Sequence, residues 1–294
     1  MAVLVSGATS QIGRFLLPRL VAAGVPVIAI SRQRQRRQEG VQWLEGGLHE
    51  ALQQMQPESL DALVSFSPLL DWADWLARQS SAPAPMIVAT SSMSALSKQD
   101  SAQLGEQALA ASLQAGEQRV MEQARRLGMQ CTIFRPTLIY GAGIDRSLTP
   151  IVGAARRRRL FPIPMARGLR QPVHADDIAR AVMQVLQGAA PQGGLIQIGG
   201  GERLDYRQMF QRVRSSMRER TMPVYLPLGL LRILAGLVPA MRGPVSRLEE
   251  DLVADNTLLE RQLGIVPRPF RPTADCWLPM DEATARGRIT RAPK

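Results

Sequence analysis

Short apolar runs alternate along the chain with longer segments in which apolar residues recur at the spacing of an α-helix. The runs predict seven strands, at residues 2–5, 25–30, 41–44, 61–66, 86–90, 129–134 and 195–198. Helices are predicted between them, starting near Phe15 and spanning residues 48–55, 70–78, 112–127 and 177–187. Asp176 or Asp177 is expected to cap the last of these helices, since a carboxylate accepts from free amides at a helix start.

Strands separated by single helices predict parallel β-α-β units with right-handed crossovers. We therefore expect an α/β fold: a Rossmann-like doubly wound parallel sheet with a smaller, mostly helical C-terminal substrate-binding subdomain. The core is expected to comprise residues 1–140 and 171–200. The subdomain is expected at residues 141–170 and 201–285, with a tail at 286–294. Prolines from Pro223 to Pro244 interrupt its predicted helices.

A glycine-containing turn joins the first predicted strand to the first helix. Gly7 permits a tight turn, Gly13 lets the helix approach the sheet, and amides at the helix start point at a bound pyrophosphate. Ser10 stands where a second glycine is usual; its hydroxyl can donate to phosphate, but its side chain narrows the approach. A strand-helix turn without ligand is the alternative. The expected dinucleotide contacts are Gly7, Thr9, Ser10, Gln11, Ile12 and Gly13.

The end of the second predicted strand indicates which dinucleotide is preferred. An acidic residue there would bind a ribose 2′-hydroxyl, but the chain has Ser31 and Arg32, followed by Arg34, Arg36 and Arg37. A guanidinium group binds phosphate through two parallel hydrogen bonds. NADP(H) is therefore predicted over NAD(H). A solvated basic loop explains Arg36 and Arg37 equally well, but explains Arg32 less well.

The charge balance favours anionic partners without choosing among them. The 294 residues carry 36 basic and 25 acidic side chains, a formal net charge of +11, and all but Lys98 and Lys294 of the basic residues are arginines. A run of four arginines, at residues 156–159, raises the question of nucleic acid. Only 4% of residues are aromatic and no nucleic-acid-binding motif is present, so no nucleic-acid partner is expected.

Metal and membrane chemistry find little support in the sequence. Two cysteines and two histidines give no metal-ligand spacing, and Cys131 lies in an apolar run typical of a protein core. The longest candidate for a membrane span, at residues 221–241, is divided by Arg232 and by prolines, so it lacks the roughly 18 uninterrupted apolar residues that a span requires. Its part at 226–241 is read as core of a helical cap, as the lining of an apolar cavity, or as a face lying on a membrane. A cytoplasmic protein is expected.

Several motifs in order resemble the extended and atypical short-chain dehydrogenase/reductase superfamily, in its NAD-dependent epimerase/dehydratase branch. The resemblance rests on the glycine turn, the strand beginning at Asp61, the Thr90-Ser91-Ser92 segment and three later motifs. These are Arg135-Pro136-x-x-Ile139-Tyr140-Gly141, Arg170-x-x-Val173-His174-x-Asp176-Asp177, and Leu263-Gly264 followed by Pro267. The resemblance implies further cofactor contacts at Ser65, Phe66, Ser67, Arg135 and Pro136. It implies substrate contacts at Tyr140 and Arg170, the latter with substrate phosphates.

The resemblance also implies a catalytic serine and a Tyr-x-x-x-Lys pair, and the chain keeps only the serine. Ser92 matches the hydroxyl position. The tyrosine is expected at Leu113 or Gln114 and the lysine at Glu117 or Gln118. Amide side chains do not titrate and cannot act as general acid or base. Gln114 and Gln118 share a helix face and can still bind a ribose, so cofactor binding can survive where the usual chemistry is lost.

Two functions remain open. The first is an NADP(H)-dependent oxidoreductase or epimerase-like enzyme acting on a small, phosphate-bearing or nucleotide-linked substrate, with Ser92 polarising a carbonyl or hydroxyl. The second is a non-catalytic NADP(H)-binding regulator, sensor or assembly factor. By analogy with the family, a homodimer is expected to form through the helix at residues 112–127.

Overall fold

The structure is a computed structural model that describes residues 2–55, 60–189, 194–238 and 242–279. Its strands, in chain order, are β1 (Val3–Ser6), β2 (Val27–Ser31), β3 (Val41–Glu45), β4 (Ala62–Ser65), β5 (Met86–Thr90), β6 (Gln130–Pro136), β7 (Ile139–Tyr140), β8 (Leu160–Met165), β9 (Leu169–Arg170), β10 (Val173–His174), β11 (Leu195–Ile198), β12 (Leu204–Asp205) and β13 (Met222–Pro227). β1 to β6 and β11 form one sheet in the order β11-β6-β5-β4-β1-β2-β3, with every pairing parallel.

Helices cover both faces of this sheet. They are α1 (Gly13–Ala22), α2 (Leu48–Gln54), α3 (Leu69–Ala77), α4 (Ser94–Ser97), α5 (Leu104–Arg126), α6 (Thr149–Arg158), α7 (Ala175–Leu186), α8 (Tyr206–Ser215), α9 (Leu228–Leu237), α10 (Arg242–Ser246) and α11 (Thr257–Leu263). α1, α7 and α11 bury apolar residues on one face, while α2, α3 and α5 bury theirs on the other. The predicted doubly wound parallel sheet is confirmed.

The second half of the chain forms two smaller apolar clusters outside the sheet. One holds α6, β8 and α8 together around Phe161, Phe210 and Trp277. The other packs α9 and α10 around Leu231 and Leu248. The domain boundaries given above stay a prediction, but the strands of the main sheet fall on the core side of them.

Three local predictions are wrong in their details. α5 begins at Leu104 rather than near residue 112. The pattern missed its first turns because they are largely exposed and carry no apolar stripe. Residues 222–227, expected within a helical region, form β13, which pairs with β8 and tolerates its two prolines. Finally, α7 is capped by His174, whose Nδ1 accepts from the Asp176 amide at 3.2 Å.

The aspartates at the start of α7 bind arginines instead of capping the helix. α7 begins at Ala175, which places both carboxylates inside its first turn. Asp176 accepts from Arg19 on α1, and Arg268 donates to both Asp176 and Asp177. This ion network joins α1, α7 and the segment after α11. No helix within the described ranges is long and apolar enough to cross a membrane.

Candidate nucleotide site

The carboxyl ends of four neighbouring strands lie at one level of the sheet. In the pairing registers Val5 lies opposite Ala29 of β2, Ser6 lies opposite Ser65 of β4, and Ser65 lies opposite Ala89 of β5. The strand order changes direction between β1 and β4, and parallel α/β sheets bind ligands at such a switch point. The turn after β1 therefore opens into the crevice where a ligand is expected.

Gly7 and Gly13 fix the turn between β1 and α1 by close backbone approach. Gly7 has a φ of +65°, and a Cβ built on it would lie 2.7 Å from the carbonyl oxygen of Phe66. A Cβ on Gly13 would lie 2.2 Å from the carbonyl oxygen of Ala8. Both positions thus require glycine, as the sequence predicts. The Ser10 amide closes the turn by donating to the Gly7 carbonyl at 2.9 Å.

Polar side chains in this turn are arranged around the start of α1. Ser10 Oγ accepts from the Gly13 amide at 3.2 Å, which leaves its hydroxyl proton to donate elsewhere. Arg14 donates through Nε to the Thr9 carbonyl at 3.3 Å. Gln11 Oε1 is buried without a hydrogen-bond partner in the described chain. An unpaired buried acceptor is costly unless something binds it, so this atom fits a site that a ligand completes.

A serine cluster lines the neighbouring end of β4. Ser6 Oγ and Ser67 Oγ are 2.8 Å apart, and the Ser67 amide donates to Ser65 Oγ at 3.3 Å. Trp72 Nε1 donates to Ser6 Oγ at 2.9 Å from α3. These bonds hold Ser65, Phe66 and Ser67 in a fixed turn beside Gly7. The sequence suggested the three turn residues but not the support from Trp72.

Two exposed arginines follow the end of β2. Ser31 is buried, and its Oγ donates to the Gln33 carbonyl at 2.7 Å, which turns the chain out of the sheet. Arg32 and Arg34 are exposed, and neither forms an ion pair within the described residues. Because β2 pairs directly with β1, Arg32 follows the strand end next to the Gly7 turn. Its guanidinium group is available to an anion.

The end of β5 carries the hydroxyl groups expected near a reacting centre. Ser92 Oγ accepts from the Ser94 amide at 3.1 Å at the start of α4 and is half-buried. Ser91 Oγ is buried, and the described residues offer it no hydrogen-bond partner. Ser91 Oγ and Gln11 Oε1 are thus two buried polar atoms, at the same edge of the sheet, that have no hydrogen-bond partner among the described residues. The family resemblance pointed to Ser92 alone, because Ser92 matches the hydroxyl position and the burial of Ser91 Oγ depends on tertiary packing.

The amide side chains on α5 differ in environment, although they lie on one helix face. Gln114 Nε2 donates to the Ala95 carbonyl at 2.6 Å and to Gln99 Oε1 at 3.1 Å, so α4 occupies its amide. Gln118 is exposed. The ribose contacts predicted for this pair stay a prediction. The structure joins only Gln114 to the segment that follows Ser92.

Glu117, between these two residues, is buried and bound to Arg135. Arg135 donates through Nε at 2.8 Å and through Nη2 at 2.5 Å to the two carboxylate oxygens. These bonds raise the pKa of Arg135, although burial acts in the opposite direction. The Arg135 side chain predicted for the cofactor is therefore engaged by α5. The neighbouring Pro136 carbonyl accepts from the Met93 amide at 2.9 Å.

The three tyrosines belong to elements other than α5: Tyr140 to β7, Tyr206 to α8 and Tyr225 to β13. Tyr140 is 1% exposed, with its ring against His174, Phe270 and Trp277. Burial raises the pKa of its hydroxyl well above the ordinary value, which disfavours proton transfer. Tyr140 belongs to the short strand β7, because β6 stops at Pro136. Its predicted substrate contact stays a prediction.

Arg170 is held by the protein itself. Its guanidinium donates to the carbonyl oxygens of Leu169, Glu250 and Arg247, at 2.7, 2.5 and 2.6 Å. Nη2 also donates to the Tyr206 hydroxyl at 2.7 Å, and the group lies over that ring. At 5% exposure, Arg170 joins β9 to the segment before α11. A substrate phosphate would have to displace these oxygens.

Lys98 lies at the boundary between the sheet domain and the C-terminal clusters. Its Nζ is 3.7 Å from Glu106 of α5, and Arg247 also reaches this carboxylate, at 3.1 Å. Burial and the Arg247 charge lower the pKa of the Lys98 ammonium, with Glu106 opposing them. This is the single lysine among the described residues, and its partners were not predictable because Glu106 and Arg247 reach it only through tertiary packing.

One family model matches part of the chain, in a segment that contains several of the motifs described above. Residues 99–199 match the model of the NAD dependent epimerase/dehydratase family. The matched segment contains α5, β6 and α7, and the resemblance seen in the sequence is confirmed. No curated protein matches the chain significantly by sequence.

Solved structures of similar fold cover nearly the whole chain. UDP-glucuronic acid 4-epimerase from Bacillus cereus in complex with NAD has a TM-score of 0.70 at 12% identity, covering 98% of this chain and 99% of that one. Epimerase Mth375 from Methanothermobacter thermautotrophicus has a TM-score of 0.71 at 16% identity, covering 94% and 90%. TunA, an NAD dependent NDP-hexosamine 5,6-dehydratase, has 0.68 at 16%, covering 97% and 100%. At these identities the likeness establishes the fold.

Proposed function

We propose that this protein binds NADP(H) in the crevice at the ends of β1, β2, β4 and β5. The observation that carries the proposal is the glycine-fixed turn at the start of α1, next to the end of β2, where Arg32 is exposed and forms no ion pair within the described residues. Turn amides and Ser10 would hold the pyrophosphate, and Arg32 would hold the 2′-phosphate. A contact from Ser31 would require its hydroxyl to leave the Gln33 carbonyl. The unpaired Gln11 Oε1 and Ser91 Oγ support a ligand that completes the site.

In the favoured form of the proposal the protein is an oxidoreductase or epimerase-like enzyme acting on a small or nucleotide-linked substrate. The nicotinamide ring supplies the hydride chemistry when bound. Ser92 polarises a carbonyl or hydroxyl of the substrate, and water or a substrate group carries the proton that a tyrosine would otherwise carry. Similar structures bearing UDP-sugar and NDP-hexosamine names support this substrate class.

A non-catalytic NADP(H)-binding regulator or assembly factor is the second candidate, and α5 favours it. The side chains in the stretch where an acid/base pair is expected are already engaged or exposed: Gln114 binds Ala95, Glu117 binds Arg135, and Gln118 faces solvent. None of these groups is placed to move a proton at neutral pH.

Turnover measured alongside binding separates the two candidates. Purified protein is titrated with NADPH and then assayed on panels of carbonyl compounds and sugar nucleotides, with Ser92→Ala as the test variant. An enzyme gives turnover that falls by about 10²-fold or more in Ser92→Ala while NADPH binding persists. A sensor gives nucleotide binding that changes thermal stability, without turnover in either protein. We also expect the protein to act in the cytoplasm. By analogy with the family, we expect a homodimer that forms through the helix at residues 112–127.

A further inference from the structure

The arginine run at residues 156–159 lies beside the loop at residues 214–221, although the two are far apart in the sequence. The run precedes β8, and the loop precedes β13. Leu160 pairs with Met222 at the start of these two parallel strands, so the residues before each strand are neighbours. The Met222 amide donates to the Arg159 carbonyl at 2.8 Å. The run that the sequence singled out therefore borders this loop.

The loop encloses a cavity of about 310 Å³, lined by residues 214, 215 and 217–221. Arg214 donates through Nε and Nη2 to the Thr221 carbonyl, at 3.0 and 2.7 Å, which closes the loop. Ser216 Oγ accepts from Trp277 Nε1 at 2.7 Å, which fixes the loop to the end of the described chain. The volume is at the lower end of the range of small-ligand pockets. The cavity is thus held in shape and has room for a small ligand.

Thr221 borders this cavity and carries a buried hydroxyl without a partner. The residue is 7% exposed, and its Oγ1 has no hydrogen bond among the described residues. Such a group is costly in the folded protein, because it has lost its water and gained nothing in exchange. At the wall of a cavity, an unsatisfied hydroxyl indicates that a bound molecule or ion completes its hydrogen bonding.

Arg159 is the only residue other than glycine that has a positive φ in the part of the chain that the structure describes. Its φ of 59° ends α6 in the left-handed region, where glycine is usual and any Cβ is strained. Strained residues of this kind concentrate at functional sites. The Glu219 amide, Arg156 and Arg159 hold the pKa of the Glu219 carboxyl below its ordinary value, against the effect of desolvation. The Arg159 guanidinium is therefore close to the loop.

Positive charge exceeds negative charge around the cavity. Five arginines line it or interact with its lining, against two acidic residues; these are Arg156, Arg159, Arg214, Arg218 and Arg220, and Glu219 and Asp275. The Arg218–Asp275 pair is 71% and 53% exposed, and a pair of this kind contributes little. Arg159 and Arg220 are exposed and form no ion pair with any described residue. Their guanidinium groups are available to an anion.

We propose that this cavity binds the phosphoryl group of a small anionic molecule, with the Thr221 hydroxyl as a donor and Arg159 and Arg220 as the cations. Guanidinium groups bind phosphate oxygens through strong, charge-assisted hydrogen bonds. A nucleic-acid strand fits less well, because it needs an open basic groove with aromatic platforms rather than a closed loop. The cavity lies outside the main sheet, and the proposal does not depend on the nucleotide site.

Calorimetric titration with inorganic pyrophosphate and with ribose 5-phosphate tests the site. Both probes carry phosphoryl groups, and only the second has an organic part. Thr221→Val removes the hydroxyl and keeps the side-chain shape, while Arg159→Gly removes the guanidinium and relieves the backbone strain. The matched control is Arg158→Ala, which removes the neighbouring exposed cation. Thermal unfolding without a probe shows that each variant folds.

We expect at least one probe to bind, and both Thr221→Val and Arg159→Gly to weaken its binding by about tenfold or more. Arg158→Ala is expected to bind within about twofold of the unaltered protein, since an exposed charge contributes little. Tighter binding of ribose 5-phosphate identifies a phosphorylated organic ligand, and tighter binding of pyrophosphate identifies a free anion.

The proposal is overturned if neither probe binds at millimolar concentration. It is also overturned if both test variants bind as well as the unaltered protein, which would place the bound probe elsewhere, for example at the nucleotide turn. Equal losses in Arg158→Ala and Arg159→Gly would show diffuse attraction rather than a site. Displacement of the probe by micromolar single-stranded DNA would show that the surface binds nucleic acid instead.

Discussion

The guanidinium of Arg135 and the carboxylate of Glu117 form a two-bond ion pair that joins α5 to the end of β6. Glu117 is one of the two positions at which the family resemblance expects a lysine. A carboxylate there cannot supply the cation that would lower a tyrosine pKa. Its side chain instead anchors the helix, so this position has taken a structural role.

Glu117→Gln is expected to reduce the free energy of unfolding by about 3 kcal/mol, because it leaves the Arg135 charge without its partner. Gln118→Ala, at the next residue on the exposed side, is expected to change it by less than about 0.5 kcal/mol. Urea denaturation of both variants measures the difference. Equal effects would show that the ion pair contributes nothing to stability.

Gly7→Ala is expected to weaken dinucleotide binding at least about tenfold, because the added methyl meets the Phe66 carbonyl and distorts the turn. Gly24→Ala is the matched control. Gly24 has a similar φ of +69°, but nothing lies within 4 Å of its added Cβ. An alanine at a positive φ is strained in both variants, so the difference in their dinucleotide affinity measures the effect of distorting the turn at Gly7. If Gly24→Ala loses as much affinity as Gly7→Ala, the turn does not hold the nucleotide.

Arg32→Asp is expected to weaken NADPH by about ten- to one-hundredfold and NADH far less, because it replaces a phosphate donor with a repelling charge. Arg36→Asp makes the same charge change four residues further along the loop and is expected to have a smaller effect. Calorimetric titration of each variant with both dinucleotides measures the ratio. A loss of the same size for NADH would place the 2′-phosphate elsewhere.

Asp176 predicts how the network at α7 responds to acid. Burial alone would raise the pKa of this carboxyl, but Arg19 and Arg268 hold it below the ordinary value. Its stabilisation is thus complete above the unfolded pKa of about 3.9 and is lost as the pH falls through the lower folded value.

Asp176→Asn is accordingly expected to be less stable than the unaltered protein by roughly 3 kcal/mol near neutral pH. The gap should close as the pH falls below about 4, since the variant has no carboxylate to protonate at this position. Urea denaturation at a series of pH values follows the gap. A gap that stays constant or widens on acidification would contradict the assignment.

The sequence is most informative where burial repeats at a fixed period. The strands at residues 2–5 and 86–90 were predicted to within about a residue, because parallel strands covered on both faces are continuous apolar runs. The amino-terminal half of α5 was missed, since a largely exposed helix has no apolar stripe to reveal it. β13 was missed because its prolines suggest a break, whereas an edge strand accepts them.

In the candidate site, the sequence predicted features that depend on local backbone geometry and missed those that depend on tertiary packing. Gly7 and Gly13 were predictable because their role depends on local backbone geometry alone. The partners of Arg135 and Arg170 were not, because Glu117 and Glu250 meet them only through tertiary packing. Side chains that the sequence offered to ligands are thus bound by the protein itself. Arg32 remains as an exposed guanidinium at the edge of the crevice.

Calorimetric titration of the unaltered protein with NADPH and then NADH tests the central claim most directly. The arrangement of the Gly7 turn beside Arg32 predicts saturable binding of both dinucleotides, with NADPH the tighter by at least about tenfold. Absence of binding of either dinucleotide at millimolar concentration would contradict it.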